Sequence, residues 1–228
     1  MRWLAVIAAL VFTAGASADS GKQLFGRECA KCHGPDARGT SRGPSLIGAG
    51  ALAADFYLRT GYMPLKDSGL QPRRSRLLLG PAEIDALVQY VASLGHGPAV
   101  PRPQPERGNV SEGMALFRQH CAGCHQIVAQ GGYVTHAVPP ALGDATPTQV
   151  AEAVRIGPYV MPRFSTRAIS NRQLDSIVRY VEYARHPDNR GGWALGNIGP
   201  IPEGLVSWFI AGSALLATCL LIGKRLHG

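Results

Sequence analysis

One phrase of this chain is spelled twice: GKQLFGRECAKCH from Gly21 and GMALFRQHCAGCH from Gly113, offset by 92 residues. Matching parts follow each copy in the same order. TGYMPL parallels IGPYVMPRF, and EIDALVQYVASL from Glu83 aligns with QLDSIVRYVEYA from Gln173 at an offset of 90. Internal repetition of this length marks a duplicated unit, so the 228 residues divide into two small domains rather than one large one.

The late segment of each unit is predicted to be a helix. Ile84, Leu87, Val88 and Val91 recur as Leu174, Ile177, Val178 and Val181, the i, i+3, i+4, i+7 stripe of a buried face. Start signals agree: Pro81 suits a first helical position, and Ser170 with Gln173 forms a capping-box pattern. Shorter helices around Gly21 to Phe25 and Gly113 to Phe117 run into the CxxCH turns, and their glycines allow another helix to approach closely. No strand-like alternation occurs, so the expected fold is all-α. Between the units, closely spaced prolines in GHGPAVPRPQPERG (95–108) point to a semi-rigid extended connector.

The two ends carry membrane signals. Arg2, the apolar run Trp3 to Thr13 and the small residues Ala16-Ser17-Ala18 read as an export signal over 1–18, cleaved before Asp19. Residues 205–223 contain no charge and reach about 28 Å as a helix, enough to cross a bilayer. Lys224 and Arg225 follow at once, which places the C-terminus in the cytoplasm and the two repeats outside it. The expected division is therefore a signal (1–18), a first domain (19–97), a proline-rich linker (98–108), a second domain (109–187), a Gly/Pro-rich linker (188–204), a transmembrane helix (205–223) and a cytoplasmic tail (224–228). The formal net charge of +8 does not imply nucleic acid. Arg73, Arg74, Arg76, Arg155, Arg163 and Arg167 are spread along loops with no recognition-helix pattern, which reads as a solvated basic face.

A Cys-x-x-Cys-His turn lets two thiols form thioethers to a haem while the adjacent histidine is held under the iron. Two such turns in matching contexts predict two covalently bound haem c groups, attached through Cys29, Cys32, Cys121 and Cys124, with His33 and His125 as proximal ligands. A shared zinc site would need the four thiols to converge and would leave both histidines without a role. A redox dithiol would need a βαβ context that the chain lacks. Cys219 lies within the membrane run as a small apolar residue. Met63 and Met161 each precede a proline, stand at equivalent places in the repeat and are the expected second axial ligands, completing the metal set His33, Met63, His125 and Met161. His136 in QGGYVTHAVPP is the one rival to Met161, whereas His120, directly before Cys121, is not expected over the distal face. His96 and His186 close helices, where a histidine suits the dipole. Iron with both axial positions filled transfers electrons and binds no substrate of its own. No nucleophile with its base and no paired carboxylate site is evident, so no catalytic residue is expected, and the acidic residues read as surface charges.

These features resemble tandem class I cytochromes c. GPSLIGAG (43–50), TGYMP, EIDALVQYVASLG, LFRQHCAGCH, GPYVMPRFS and above all GGWALGNIGPIPEGLVSW (191–208) resemble the dihaem cytochrome c subunit of the actinobacterial-type menaquinol:cytochrome c reductase, the bcc complex. The resemblance implies two tandem cytochrome c domains on a membrane tether, partnered by cytochrome b and a Rieske iron–sulfur protein. It also implies delivery of electrons to an aa3-type oxidase in the respiratory chain. Pro44 and Pro140 look like the prolines whose carbonyls orient the proximal histidine. Tyr62 and the loop from Tyr133 to Pro140 depart from the family's usual glycine-rich wording. The alternative is a dihaem subunit serving an exported dehydrogenase or another oxidase. A haem peroxidase or ligand sensor would need an iron with an open or displaceable position.

Overall fold

A computed structural model describes residues 18–65, 74–187 and 200–226. The expected export signal, apart from the backbone of Ala18, and residues 188–199 of the linker expected over 188–204 lie outside the described residues, while 200–204 are helical rather than linker. Among the described residues all regular structure is helical, with two isolated bridges, Thr40–Gly43 and Val134–Ala137, as the only extended pairing. Residues up to Arg185 form one unit and those from His186 a second.

Each repeat is built from the same four helices. In the first they are α1 (Ala18–Glu28), α2 (Ala30–His33), α3 (Gly50–Arg59) and α4 (Pro81–Ser93); in the second, α5 (Val110–His120), α6 (Ala122–His125), α7 (Pro147–Ile156) and α8 (Asn171–Arg185). The expected capping signals are used. Ser170 Oγ accepts from the Gln173 amide at 3.2 Å while Gln173 Oε1 accepts from the Ser170 amide at 2.9 Å. Pro81 opens α4, and Glu83 returns to accept from the Gly80 amide at 2.8 Å. α7 begins with a full capping box between Thr146 and Gln149, at 3.2 and 3.0 Å.

First and last helices cross at a glycine in both repeats. A Cβ on Gly21 would lie 2.2 Å from the Ala86 carbonyl oxygen, and one on Gly113 would lie 1.9 Å from that of Ser176. No side chain larger than hydrogen fits either crossing. Phe25 packs on Tyr90 and Phe117 on Tyr180 with ring centroids 5.2 and 5.3 Å apart, so the two crossings are the same construction. In α8, Leu174, Ile177, Val178 and Val181 are all buried as the stripe predicts; in α4, Ile84, Leu87 and Val91 are buried and Val88 is half-buried.

The connector does more than space the repeats. The Leu52 amide donates to Pro98 O at 3.0 Å, and the Gln104 amide to Asp175 Oδ1 at 2.8 Å. A 3₁₀ turn over Pro105–Arg107 packs on α8. Both ends of the proline-rich segment are thus tied to the repeat they adjoin.

α3 and α7, equivalent helices, pack against each other across the repeats. Asp55 and Glu152 meet there, as do Tyr62 and Tyr159, and both pairs are separated by 97 residues. Each residue therefore faces its own counterpart, the pattern of an isologous two-fold contact written within one chain. Gln149 Nε2 donates to Arg59 O at 3.4 Å across the same seam. Glu152 has no exposed surface and Asp55 is buried, so the reading of every acidic residue as a surface charge does not hold. Arg155 also departs from the solvated basic face. Its guanidinium donates to Phe164 O, Ile169 O and Asn171 Oδ1 at 3.2, 2.8 and 2.9 Å, tying α7 to the loop before α8.

The second unit contains α9 (Pro200–Leu226). Its stretch Gly204–Arg225 has mean hydropathy 2.2, and no part of the apolar window is buried within the structure. Those 22 residues extend about 33 Å at 1.5 Å per residue, enough for a hydrocarbon core of about 30 Å. This matches the predicted span over 205–223.

Candidate functional site

Cys29 and Cys121 each break the helix before them, and the next four residues form one tight turn. The amides of Cys32 and His33 both donate to Cys29 O, at 3.1 and 3.0 Å; those of Cys124 and His125 donate to Cys121 O at 3.1 and 2.9 Å. This turn sets two thiols and an imidazole on a single short element. The chain then folds back, with the Gly39 amide donating to His33 O at 2.8 Å and the Gly131 amide to His125 O at 3.1 Å. The fold-back delivers a proline to each histidine. His33 Nδ1 lies 2.8 Å from Pro44 O, and His125 Nδ1 lies 3.0 Å from Pro140 O.

A carbonyl only accepts, so Nδ1 carries the proton in both contacts and Nε2 keeps the lone pair that a metal requires. Burial, partly offset by the Pro140 hydrogen bond, holds His125 below the ordinary histidine value and favours the neutral, ligating form. The prolines implied by the resemblance are thus found where they orient the rings.

In the second repeat all four sequence-predicted side chains converge. Cys121, Cys124, His125 and Met161 line one cavity of about 570 Å³, within the range of cofactor-sized sites. The rest of the wall is mostly apolar, with Phe117, Leu142, Val150, Val154 and Phe164 among it. Met161 is carried by the loop after α7, where Gly157 takes a left-handed backbone (φ 63°) and the Met161 amide donates to Pro158 O at 3.0 Å. His136 is exposed and does not line the cavity, although Val134 and Ala137 do. His120 does line it, packing edge-on against Phe164 at 5.5 Å, a placement the sequence reading did not expect. Its position at the C-terminal end of α5 turns the ring along the cavity edge.

The first repeat has the same turn, proline contact and methionine loop. Met63 is half-buried, its amide donating to Tyr57 O at 3.0 Å. Gly43 runs so close that a Cβ there would meet Cys32 O at 2.9 Å and His33 Cε1 at 3.2 Å. Residues 66–73, which follow this loop, are outside the described part.

The thiol environments separate the chemistries that CxxC permits. Burial above all pushes the Cys29 and Cys121 thiols up to about 11, with Glu28 and Cys32 adding to the first and Cys124 to the second. Nucleophilic and redox-active thiols sit in environments that lower the pKa, the opposite of this one. None of the five cysteines forms a disulfide, and among the described residues no three His, Cys, Asp or Glu side chains are grouped to hold a metal ion. The residues instead fit a group that brings its own metal: a largely apolar cleft, two thiols on one turn, a neutral imidazole with Nε2 available and a thioether on a neighbouring loop.

Comparison with known proteins agrees repeat by repeat. The family described as "Cytochrome c" matches residues 18–95, and the family "Cytochrome C oxidase, cbb3-type, subunit III" matches residues 108–181. The chain is 38% identical over 216 residues to the "Cytochrome bc1 complex cytochrome c subunit" of Mycobacterium tuberculosis, covering 90% of this chain and 77% of that one. It is 32% identical over 224 residues to the protein of that description in Corynebacterium diphtheriae, covering 90% and 80%. A "Cbb3-type cytochrome c oxidase subunit CcoP" of Rhodobacter capsulatus is 28% identical over 191 residues, covering 72% of this chain and 61% of the relative.

Proposed function

The chain belongs to the family of cytochrome bc1 complex cytochrome c subunits, and from that premise we propose that it is the membrane-anchored dihaem electron carrier of a menaquinol:cytochrome c reductase. It takes electrons from a Rieske iron–sulfur centre and passes them towards an aa3-type oxidase. Cytochrome b and the Rieske protein are its partners in the complex. The observation that carries this reading is the convergence of Cys121, Cys124, His125 and Met161 on one largely apolar cavity, in a chain that spells the same set twice.

In this reading Cys29, Cys32, Cys121 and Cys124 would attach two haem c groups, and His33 with Met63 and His125 with Met161 would ligate their irons. The haem supplies a one-electron ferrous/ferric couple when bound. The protein's part is positional. Pro44 and Pro140 fix ring orientation and tautomer through Nδ1, and the apolar wall of the second cavity excludes water. The methionine loops supply a weak-field sulfur that favours the ferrous state. The haem domains, 19–97 and 109–187, lie outside the cytoplasm, with the helix after Gly204 as tether and the export signal removed. The isolated chain carries electrons and has no small-molecule substrate of its own; quinol oxidation belongs to the partner subunits.

The relative from Rhodobacter capsulatus and the match of residues 108–181 favour one second reading, an electron-transfer subunit of a different oxidase. Purification of the native complex through a tag on this chain decides between them. Cytochrome b and Rieske protein are expected to co-purify in stoichiometric amounts. Their absence, with oxidase or dehydrogenase subunits in their place, rejects the first reading.

A further inference from the structure

The cavity of the second repeat is not walled by the second repeat alone. Phe56, Thr60, Tyr62 and Arg74, all from the first repeat, line it together with His125 and Met161. The placement of these residues is built in. Gly61 adopts a left-handed backbone (φ 70°), and a Cβ on it would lie 2.1 Å from Ser75 O. The Ser75 amide donates to Gly61 O at 2.7 Å, and Arg74 Nε donates to Thr60 O at 3.1 Å. This clasp holds Arg74 beside Tyr62 at the base of the Met63 loop.

The charge inventory of that wall is one-sided. Among the described residues no Asp or Glu lines the cavity, and of those that do line it Arg74 is the one permanently charged cation. Among the described residues it forms no ion pair. A haem carries two carboxylates, and burying an anion beside an apolar wall is costly unless a cation or hydrogen-bond donors meet it. The second repeat provides His120 and the uncharged donors Tyr133, Gln149 and Tyr159. The remaining positive charge comes from the other repeat.

Tyr62 has its own partner on the facing loop. Its ring meets Tyr159 edge-on at 5.2 Å and stacks on Phe56 at 6.2 Å, while Tyr57 also reaches Tyr159 at 6.0 Å. Tyr159 has φ 55°, a left-handed backbone that costs a non-glycine residue energy and persists where the surroundings impose it. Two residues on is Met161.

We propose that the first repeat completes the haem site of the second, with Arg74 as the cation for the haem carboxylates and Tyr62 as the positioning residue that holds the Met161 loop through Tyr159. This rests on the preceding reading, that the cavity holds a haem. The expected direction for Arg74 follows from charge. Removing a positive charge near the iron stabilises the more positive ferric state, so the potential falls.

The test uses the full chain purified from membranes, with Arg74→Gln, Arg74→Lys, Tyr62→Leu, Tyr62→Phe, His120→Gln and the exposed control Arg102→Gln. Haem content by mass comes first: wild-type chain without added haem overturns the preceding reading, whereas two haems in every variant leaves this inference open to judgement. Redox titration at low ionic strength, which limits screening, then follows two one-electron transitions. The second repeat's transition is identified as the one altered by Met161→Ala. Arg74→Gln is expected to shift that transition's reduction equilibrium about tenfold towards ferric, about 59 mV for one electron. Arg74→Lys should restore most of it, and Arg102→Gln should leave both transitions in place. Tyr62→Leu is expected to admit carbon monoxide at the second repeat's iron, and Tyr62→Phe, which keeps the ring, is expected not to. Equal shifts at both transitions, no shift with Arg74→Gln, or a shift with His120→Gln in its stead overturns the assignment to Arg74. Carbon monoxide binding unchanged in Tyr62→Leu overturns the role of Tyr62.

Discussion

Burial decides the chemistry of Glu152. With no exposed surface, and with the charge of Asp55 across the seam as the next cause, its carboxyl is pushed up to about 8, while Arg59 opposes the shift. Asp55 adds to the rise both as a neighbouring charge and as a hydrogen-bond partner of the protonated carboxyl. Arg59 holds Asp55 at 2.8 Å and also reaches Asp85, which leaves Glu152 as the neutral member of the group. Between the ordinary carboxyl value of 4.5 and about 8 the folded chain binds a proton that the unfolded chain has released. Stability therefore falls as pH rises through that window. Glu152→Gln cannot ionise and is expected to lose this decline. Denaturant unfolding at about pH 5 and about pH 8 should show a larger loss for the wild type than for the variant, on the order of 1.4 kcal/mol for each pH unit crossed; parallel curves would refute it. Met161 permits a second residue-scale test. Met161→Ala is expected to leave haem attachment intact and to create carbon monoxide binding at one haem only, read in the ferrous spectrum.

At the scale of elements, the glycine crossings carry the packing of both repeats. Alanine in place of glycine ordinarily favours a helix by about 1 kcal/mol. Gly113→Ala is expected to do the reverse, because its methyl would sit 1.9 Å from the Ser176 carbonyl oxygen and force α5 off α8. A net loss of about 1–3 kcal/mol follows from overpacking of this kind, measured as a lower melting temperature of the holo-protein. Gly26→Ala in α1, where a Cβ meets nothing within 4 Å, should be neutral or stabilising. The first and last helices of each repeat were legible in the sequence: the α8 stripe, the Ser170–Gln173 box and Pro81 as the first residue of α4 are local signals, set within one or two turns, whereas α3 and α7 went unread. Residues whose role depends on another element were not. Arg155 read as one of several loop-side cations, yet its three acceptors lie 9 to 16 residues further on.

At the scale of the molecule, α9 acts as a tether in the proposed function, because a helix apolar on every face needs a bilayer. Deleting residues 205–228 is expected to move the haem protein from the membrane fraction to the soluble extracytoplasmic fraction without changing its haem content. A truncated protein found in the cytoplasm, or retained on membranes, would contradict the proposed topology. The seam couples the two repeats. Asp55 against Glu152 and Tyr62 against Tyr159 place counterparts face to face, so one substitution on either side is felt by both repeats.

The sequence by itself determined the duplication, the first and last helices of each repeat, both CxxCH turns, the methionine loops and the membrane span, because each is written in residues close along the chain; α3 and α7 were not read from it. The pairing of each histidine with a proline 11 or 15 residues away was legible only through resemblance. Tertiary structure alone decided that α3 meets α7, that Glu152 is sealed from water and that Arg74 faces the second cavity. The physical reason is that docking one repeat on another is governed by surface shape and charge over the whole face. No periodicity along the chain records which side chains that face will bring together.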